Sequence, residues 1–456
     1  MEYRSTRGGS RGKGFAEVLI EGLAPDGGLY VPDSVPEPSI PPDSYAVVAA
    51  AMMRPFLEPD PLATEIEAIA HDVYARFRHP QVAPIHQVGE NLHIMELFWG
   101  PTLSFKDYAL QMVGAMFDRV LARTGRRILV LGATSGDTGS AAIEACRGRA
   151  GIDIVILFPD GAVSEVQRRQ MTTVADANVR AVAVKGTFDD CQRMVKTAFV
   201  KSSLPLAAIN SINWGRIMAQ TSYYAYATTR FEEPVDFVVP TGNFGNVLAG
   251  HIARRMGARV GRLTVANNAN HGLADLIETG RLRVRPVSAT HAPAMDIQIP
   301  SNLERYLYEV LGGDPRTVEK LEEHLTDTGE IVLPPDARVL MQRDFAAGWC
   351  SDEEIVGAIR DLHDETGIVA DPHTAIAWSV ATAHPGDRPT VVVGTAHPAK
   401  FAPVVKQAIG DVPALPEEVA AIMGLPERFT RIDPNLDDLF DLLNEVHHAP
   451  RERESP

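Results

Sequence analysis

Apolar residues recur along this chain in two alternating rhythms. Short, nearly continuous apolar runs appear at Ile128–Leu131, Ile152–Phe158, Val179–Val184, Val235–Val239, Arg262–Ala266 and Thr390–Gly394. Runs of that length and composition predict strands buried on both faces. Between them lie longer segments with helical spacing: Thr138–Arg147, Ser164–Thr172, Phe188–Lys201, Trp214–Phe231 and Gly245–Arg255. The alternation of strand and helix predicts an α/β protein with a mostly parallel sheet covered by helices.

The flanking text departs from that rhythm. Residues Phe15–Pro32 read as a short amphipathic helix, a Pro-Asp-Gly-Gly turn and a short strand. Pro-rich Val35–Pro42 predicts a surface connection, and 43–78 is helical by period, interrupted by Pro55, Pro59 and Pro61. A helix is expected over Tyr108–Arg123. Residues 301–366 read as predominantly helical and carry no recognisable chemistry. Strand and helix return at Thr390–Gly394 and Ala399–Ile409, and Arg451–Pro456 reads as a disordered tail.

At 456 residues the chain has room for two or three domains, and 45% hydrophobic with 22% charged residues is ordinary for a globular enzyme. Its 43 basic and 59 acidic residues give a net charge of −16, which argues against nucleic acid or an anionic membrane as a partner. Any anionic ligand must therefore meet locally concentrated positive charge. Cys146, Cys191 and Cys350 are scattered and form no C-x-x-C pair, which predicts a reducing, cytoplasmic setting and no cysteine metal site. The polar N-terminus lacks the apolar stretch of a secretory signal. No histidine pair, His447-His448 included, has further ligands spaced for a metal, so no metal is expected.

Candidate chemistry concentrates around one lysine and three loops. Lys106 closes Pro101-Thr-Leu-Ser-Phe-Lys106 just before a helix, a position suited to a Schiff base with an aldehyde cofactor. The loop Gly132-Ala-Thr-Ser-Gly-Asp-Thr-Gly-Ser140 follows a strand and opens a helix. Its glycines allow close backbone approach, its helix N-terminus suits an anion, and Thr134, Ser135 and Thr138 add hydroxyls. Its spacing is neither a P-loop nor a dinucleotide fingerprint. The loop Pro240-Thr-Gly-Asn-Phe-Gly-Asn246 is a stronger phosphate cradle, with two glycines and two asparagines at a helix start. Asn210-Ser-Ile-Asn-Trp-Gly-Arg216 places a guanidinium suited to a carboxylate or phosphate beside polar side chains. One lysine with two anion sites suggests pyridoxal 5'-phosphate and an anionic substrate.

These segments, with Tyr3-Arg-Ser-Thr-Arg-Gly8, Gly22–Pro32, Gly100–Asp107, Pro293-Ala-Met-Asp296 and Gly394-Thr-Ala-His-Pro-Ala-Lys-Phe401, resemble the threonine synthase family. They occur in family order over nearly the whole chain, and the N-terminal ones resemble the branch with an added N-terminal region. The resemblance implies fold type II of the pyridoxal-phosphate enzymes: two doubly wound α/β domains plus that region. It divides the chain into an N-terminal region (1–95), a large domain (96–130 and 235–410), a smaller inserted domain (131–234), and a C-terminal helical segment with tail (411–456).

The resemblance also implies roles. Lys106 would form the Schiff base and shuttle protons. Gly242, Asn243, Phe244, Gly245 and Asn246 would hold the cofactor phosphate, Thr395 would face the pyridine nitrogen, and Asp137 would lie near the ring's 3'-oxygen. An ionised Asp137 beside a phenolate is repulsive, so a shared proton or a turned side chain is expected there. Thr134, Ser135, Thr138, Asn210, Ser211 and Arg216 would hold the substrate, O-phospho-L-homoserine, on its way to L-threonine and phosphate. A phospho-lyase of the same family, giving 2-oxobutyrate, and an inactive cofactor-binding regulator are the alternatives. The protein is expected to be a monomer or homodimer. Lys400 and Lys185 are rival Schiff-base lysines. Lys400 is set aside because its neighbour Thr395 places it on the wrong side of the ring, and Lys185 because no donor loop accompanies it. His397 reads as structural.

Overall fold

The computed structural model, which describes residues 1–448, arranges the apolar runs in two sheets. The larger has six strands, in the order Phe345–Trp349, Val260–Asn267, Val235–Pro240, Thr390–Gly394, Leu92–Glu96 and Ile85–Gln87. All pair in parallel except the last, which returns antiparallel at the edge. The smaller sheet is parallel throughout, in the order Thr430–Ile432, Val179–Val184, Ile152–Pro159, Ile128–Ala133 and Leu206–Ala207. All eight residues of Ile152–Pro159 are buried, as a central parallel strand requires.

Two helices join the sheets. Trp214–Thr228 is buried along its whole length and packs on the helices Tyr45–Leu57, Lys106–Thr124 and Gly245–Arg255. Two of its polar side chains are satisfied locally: Thr221 and Thr228 donate back to the carbonyls of Met218 and Ala225 at 2.7 and 2.8 Å. Trp214 stands among Tyr3, Phe56 and Arg305, and burying a ring of that size stabilises the fold by about 2–3 kcal/mol. The helix Lys106–Thr124 lies against Asp137–Cys146 so closely that a Cβ on Gly114 would stand 2.2 Å from the Ala145 carbonyl oxygen. Both helices begin at the same crevice, so this contact sets how near their first residues approach.

The N-terminal residues are part of the same body. Tyr3–Ser5 pairs antiparallel with Tyr30–Pro32. Arg7 bonds Glu304 at 2.7 Å, and Arg305 donates to the Tyr30 carbonyl at 2.9 Å.

Several elements have no counterpart in the sequence reading. Phe345–Trp349 is an edge strand of Ala and Gly between two aromatics, with little β-propensity. Thr430–Ile432 adds a three-residue edge to the smaller sheet, and Leu439, Leu443 and Val446 of the following helix cover that sheet's core. The helix Pro372–Ala383 is apolar on nearly every side, so no helical period marks it. The tail Arg451–Pro456 lies outside the described residues. Among the described residues no helix is long and apolar enough to cross a membrane, and no three His, Cys, Asp or Glu side chains group as a metal ion would need.

Candidate active site

The strands Ile128–Ala133, Val235–Pro240 and Thr390–Gly394 each end at one cavity of about 1040 Å³. Open parallel sheets bind ligands at these carboxyl ends. Lys106, the 134–138 hydroxyls with Asp137, Asn210 and Ser211, Arg216, the whole Gly242–Asn246 run and Thr395 all line it. Fourteen positions chosen from separate stretches of sequence thus share one cavity.

Lys106 opens its helix and is buried among charged groups. Its Nζ lies 3.3 Å from Asp137 Oδ2. Burial pushes the amine below its ordinary range; Asp137 opposes this, while Arg216 and Lys400 reinforce it. The turn before it is held by Asp107, which accepts from the Thr102 amide and hydroxyl, each at 2.8 Å. The Phe105 amide donates to the Thr395 carbonyl at 2.8 Å, tying the lysine turn to the far strand.

Asp137 begins its own helix behind Gly136. Lys400 Nζ approaches its Oδ1 at 2.6 Å, and Gln167 Nε2 donates to the same oxygen at 2.9 Å. Burial alone would raise this carboxyl, but Lys400, Lys106 and Gln167 together hold it far below the usual carboxylate range. Asp137 thus sits between two lysines that hold its carboxylate ionised. The reason for setting Lys400 aside is corrected. Its Nζ reaches Asp137 Oδ1 and the Thr102 carbonyl, near enough to act on Lys106. Lys400 has no exposed side-chain surface and does not line the cavity, whereas Lys106 does. Lys185 is an exposed lysine paired with Asp433.

At the cradle, Phe244 adopts a left-handed conformation with φ of 63°, turning the chain into the helix Gly245–Arg255. Gly242 has no room for a side chain, since a Cβ would stand 2.9 Å from the Ala294 carbonyl oxygen. Asn246 accepts at Oδ1 from Tyr223 and Tyr224, at 2.6 and 2.8 Å, and its buried Nδ2 has no partner among the described residues. Arg216 is buried at a helix start, with Nη1 unpartnered among the described residues; burial, opposed by Tyr223, pushes its guanidinium down to about 10.

Other cavity residues escaped the sequence reading. His373 is buried beside the cavity. Its Nδ1 meets Asp371 at 2.7 Å, and its Nε2 has no partner among the described residues. Thr374, on the same turn, accepts from the Thr395 amide at 3.1 Å. Asp371-Pro-His-Thr has the form of a helix cap, with Asp before Pro, and that was the available signal. Segment 301–366 also contributes, contrary to expectation. Asn302 donates from Nδ2 to the Ser211 carbonyl at 2.9 Å and from its amide to the Asn243 carbonyl at 3.1 Å, linking two of the loops. His397 instead accepts from the Ala399 amide and does not line the cavity.

Comparison with known proteins agrees with this arrangement. The model of the threonine synthase N terminus matches residues 2–74, that of pyridoxal-phosphate-dependent enzymes matches 77–332, and that of the threonine synthase C-terminal region matches 374–442. Threonine synthase of Pseudomonas aeruginosa is 41% identical, with 94% of this chain and 95% of the relative covered. The chain belongs to the threonine synthase family. The crystal structure of pyridoxal-phosphate-bound threonine synthase from Brucella melitensis superposes with a TM-score of 0.94 at 41% identity, covering 98% of this chain and 100% of that one. The yeast threonine synthase structure gives 0.91 at 35%, covering 98% of each chain.

Membership in the threonine synthase family brings pyridoxal phosphate, and the residues present fit it. An unpartnered amide nitrogen, a glycine with no space for a Cβ and a helix N-terminus converge at one end of the cavity, as a phosphate needs. A buried amine stands elsewhere in the same cavity, as an aldehyde needs.

Proposed function

We propose that this chain converts O-phospho-L-homoserine and water to L-threonine and phosphate, with Lys106 as its proton-carrying residue. The observation that carries this reading is the convergence on one cavity of a buried amine held below its ordinary range and two separate anion-binding groups, the 242–246 cradle and Arg216. Bound pyridoxal phosphate supplies an aldehyde for the Schiff base and a ring that accepts the electron pair left by a departing proton.

Gly242, Asn243, Phe244, Gly245 and Asn246 would hold the cofactor phosphate, and Thr395 would face the pyridine nitrogen. Asp137, paired with lysine, would lie near the ring's 3'-oxygen without adding an unbalanced charge. Thr134, Ser135 and Thr138 bind the amino-acid end of the substrate, and Asn210, Ser211 and Arg216 its phosphate. The Lys106 amine removes the Cα proton, gives it up again and then removes one from Cβ; the freed pair forms the Cβ–Cγ double bond as the Cγ–O bond breaks and phosphate leaves with its electrons. Lys106 then returns a proton to Cγ. Water adds its hydroxyl to Cβ, a proton returns to Cα, water's remaining proton goes to the released phosphate, and the lysine displaces the product. A base in this position must be uncharged at working pH, and burial among positive groups favours that state.

We further propose an N-terminal region, a large domain, a smaller inserted domain and a C-terminal segment, and a cytoplasmic monomer or homodimer. The expected edges at 95/96 and 130/131 are moved, because Ile85–Gln87 and Leu92–Glu96 belong to the larger sheet and the whole of Ile128–Ala133 to the smaller. The test is to incubate the cofactor-loaded protein with O-phospho-L-homoserine and identify the organic product formed with phosphate. Threonine supports the proposal. Conversion to 2-oxobutyrate instead assigns a phospho-lyase, and no turnover assigns a binding protein.

A further inference from the structure

Beneath the cavity, buried positive and negative groups are unequal in number. Asp137 offers one carboxylate to two lysines, Lys400 at 2.6 Å and Lys106 at 3.3 Å. One buried carboxylate balances one ammonium. A second unbalanced ammonium in the same dry site is costly and loses its proton instead. The geometry decides which lysine keeps the charge. Lys400 is nearer, has no exposed side-chain surface, and donates in addition to the Thr102 carbonyl at 2.7 Å. Lys106 makes one longer polar contact, lies 5.0 Å from the Phe105 ring centroid, and faces the cavity.

We propose that Lys400 is the standing counter-ion of Asp137 and thereby leaves Lys106 an uncharged amine, which makes Lys400 a positioning residue for the reaction. The inference rests on Lys106 being the reacting lysine. Its consequence is that the carboxylate nearest the base is already occupied and does not draw a proton onto that base.

The surrounding charges preserve the balance. Arg216 faces Lys106 from the buried helix Trp214–Thr228. Asp107, on the same helix as Lys106, faces Lys400; burial pushes its carboxyl up to about 6, against the Thr102 bonds and Lys400. Glu144 faces Asp107 in turn. His397 adjoins Lys400, and burial together with that lysine pushes it down to about 4, so it adds no charge at neutral pH. With Asp107 ionised, two carboxylates, Asp137 and Asp107, face Lys400 and Arg216, which leaves no buried carboxylate over for a charge on Lys106.

The test reads the amine directly, through capture of cofactor rather than turnover. The full chain is stripped of cofactor, and the rate constant for recapture of pyridoxal phosphate is followed by visible absorbance across pH. Only the uncharged amine attacks the aldehyde. Lys400→Met is expected to move the midpoint of this profile upward by at least about one pH unit, so that capture near neutrality slows roughly tenfold. Lys400→Gln, which keeps a donor toward Thr102, should do the same and serves if the Met variant folds poorly by near-ultraviolet circular dichroism. Lys400→Arg should keep the wild-type profile, and adding Asp137→Asn to Lys400→Met should bring the midpoint back down. An unchanged midpoint in folded Lys400→Met or Lys400→Gln overturns the counter-ion. Lys106→Ala separates this from failure of the underlying reading: a Lys106→Ala chain that still captures cofactor overturns the lysine assignment itself.

Discussion

Tyr223 donates its hydroxyl to Asn246 Oδ1 at 2.6 Å, and this bond orients the cradle amide. With Oδ1 also taken by Tyr224, the remaining Nδ2 donor is the part of Asn246 left for a ligand. Both tyrosines lie on the buried helix Trp214–Thr228, so the cradle is aimed by a rigid element rather than by its own loop.

If that donor meets the cofactor phosphate, Asn246→Ala should weaken pyridoxal phosphate binding by roughly ten- to a hundredfold, the 1.5–3 kcal/mol of a hydrogen bond to a charged group. Asn246→Asp should weaken it further, because a carboxylate would then face the phosphate. Tyr223→Phe alone leaves the Tyr224 bond and should cost less than tenfold. Equilibrium titration of the visible absorbance measures all three. Wild-type affinity in Asn246→Ala would remove Asn246 from the phosphate site.

Asp107 gives the molecule a pH dependence of opposite sign to the usual carboxylate. Burial raises its folded-state carboxyl to about 6, whereas the unfolded chain titrates near 4. Between these values the folded state holds a proton that the unfolded state has lost, so stability from this group falls as pH rises through the window. The penalty is absent below about pH 4 and complete above about pH 6, amounting to roughly 2–3 kcal/mol. Asp107→Asn can still accept from the Thr102 amide and pair with its hydroxyl. Its stability relative to wild type should therefore improve from pH 4 to pH 7 in urea unfolding. An equal difference at both pH values would rule the titration out.

How far the site was legible followed from chain locality. Gly242–Asn246 and Thr134–Thr138 each sit between an apolar strand and a periodic helix, so their placement at strand ends could be read directly. Lys400 could not be placed that way. Its neighbour Thr395 faces the cavity, but the short turn Pro398–Phe401 carries the lysine under Asp137 on the other sheet's side. Gln167 and Asn302 likewise act across long sequence separations, on Asp137 and Ser211, and nothing local marks them. The same limit hid the edge strands Phe345–Trp349 and Thr430–Ile432, whose only support is a neighbour distant in sequence.

Gly114 is expected to matter for geometry rather than chemistry. A Cβ there would press on the Ala145 backbone oxygen at 2.2 Å, and backbone cannot yield without moving the helix that begins at Asp137. Gly114→Ala should destabilise by about 1–3 kcal/mol, as overpacking does, and weaken cofactor capture along with it. Gly357→Ala, inside the helix Asp352–Thr366 with nothing within 4 Å of the added methyl, should instead stabilise by about 0.5–1 kcal/mol. Thermal unfolding of the two variants side by side checks the contrast, and equal midpoints would contradict it.

Arg216 distinguishes substrate binding from cofactor binding. Its guanidinium, pushed by burial down to about 10, stays charged throughout the working range and keeps one nitrogen unpartnered. Arg216→Lys retains charge but loses the planar fork, so kcat/KM for O-phospho-L-homoserine should fall by roughly ten- to a hundredfold, mainly through KM. Arg216→Gln should fall further. Inhibition by inorganic phosphate identifies which end of the substrate is held. If Arg216 meets the substrate phosphate, the inhibition constant for phosphate should rise in step with KM. If it meets the carboxylate, KM should rise while phosphate inhibits as before, and Arg216 then belongs with Thr134 and Ser135 instead. In either case cofactor affinity should stay near wild type, and a comparable loss of cofactor affinity would place Arg216 in the cofactor site.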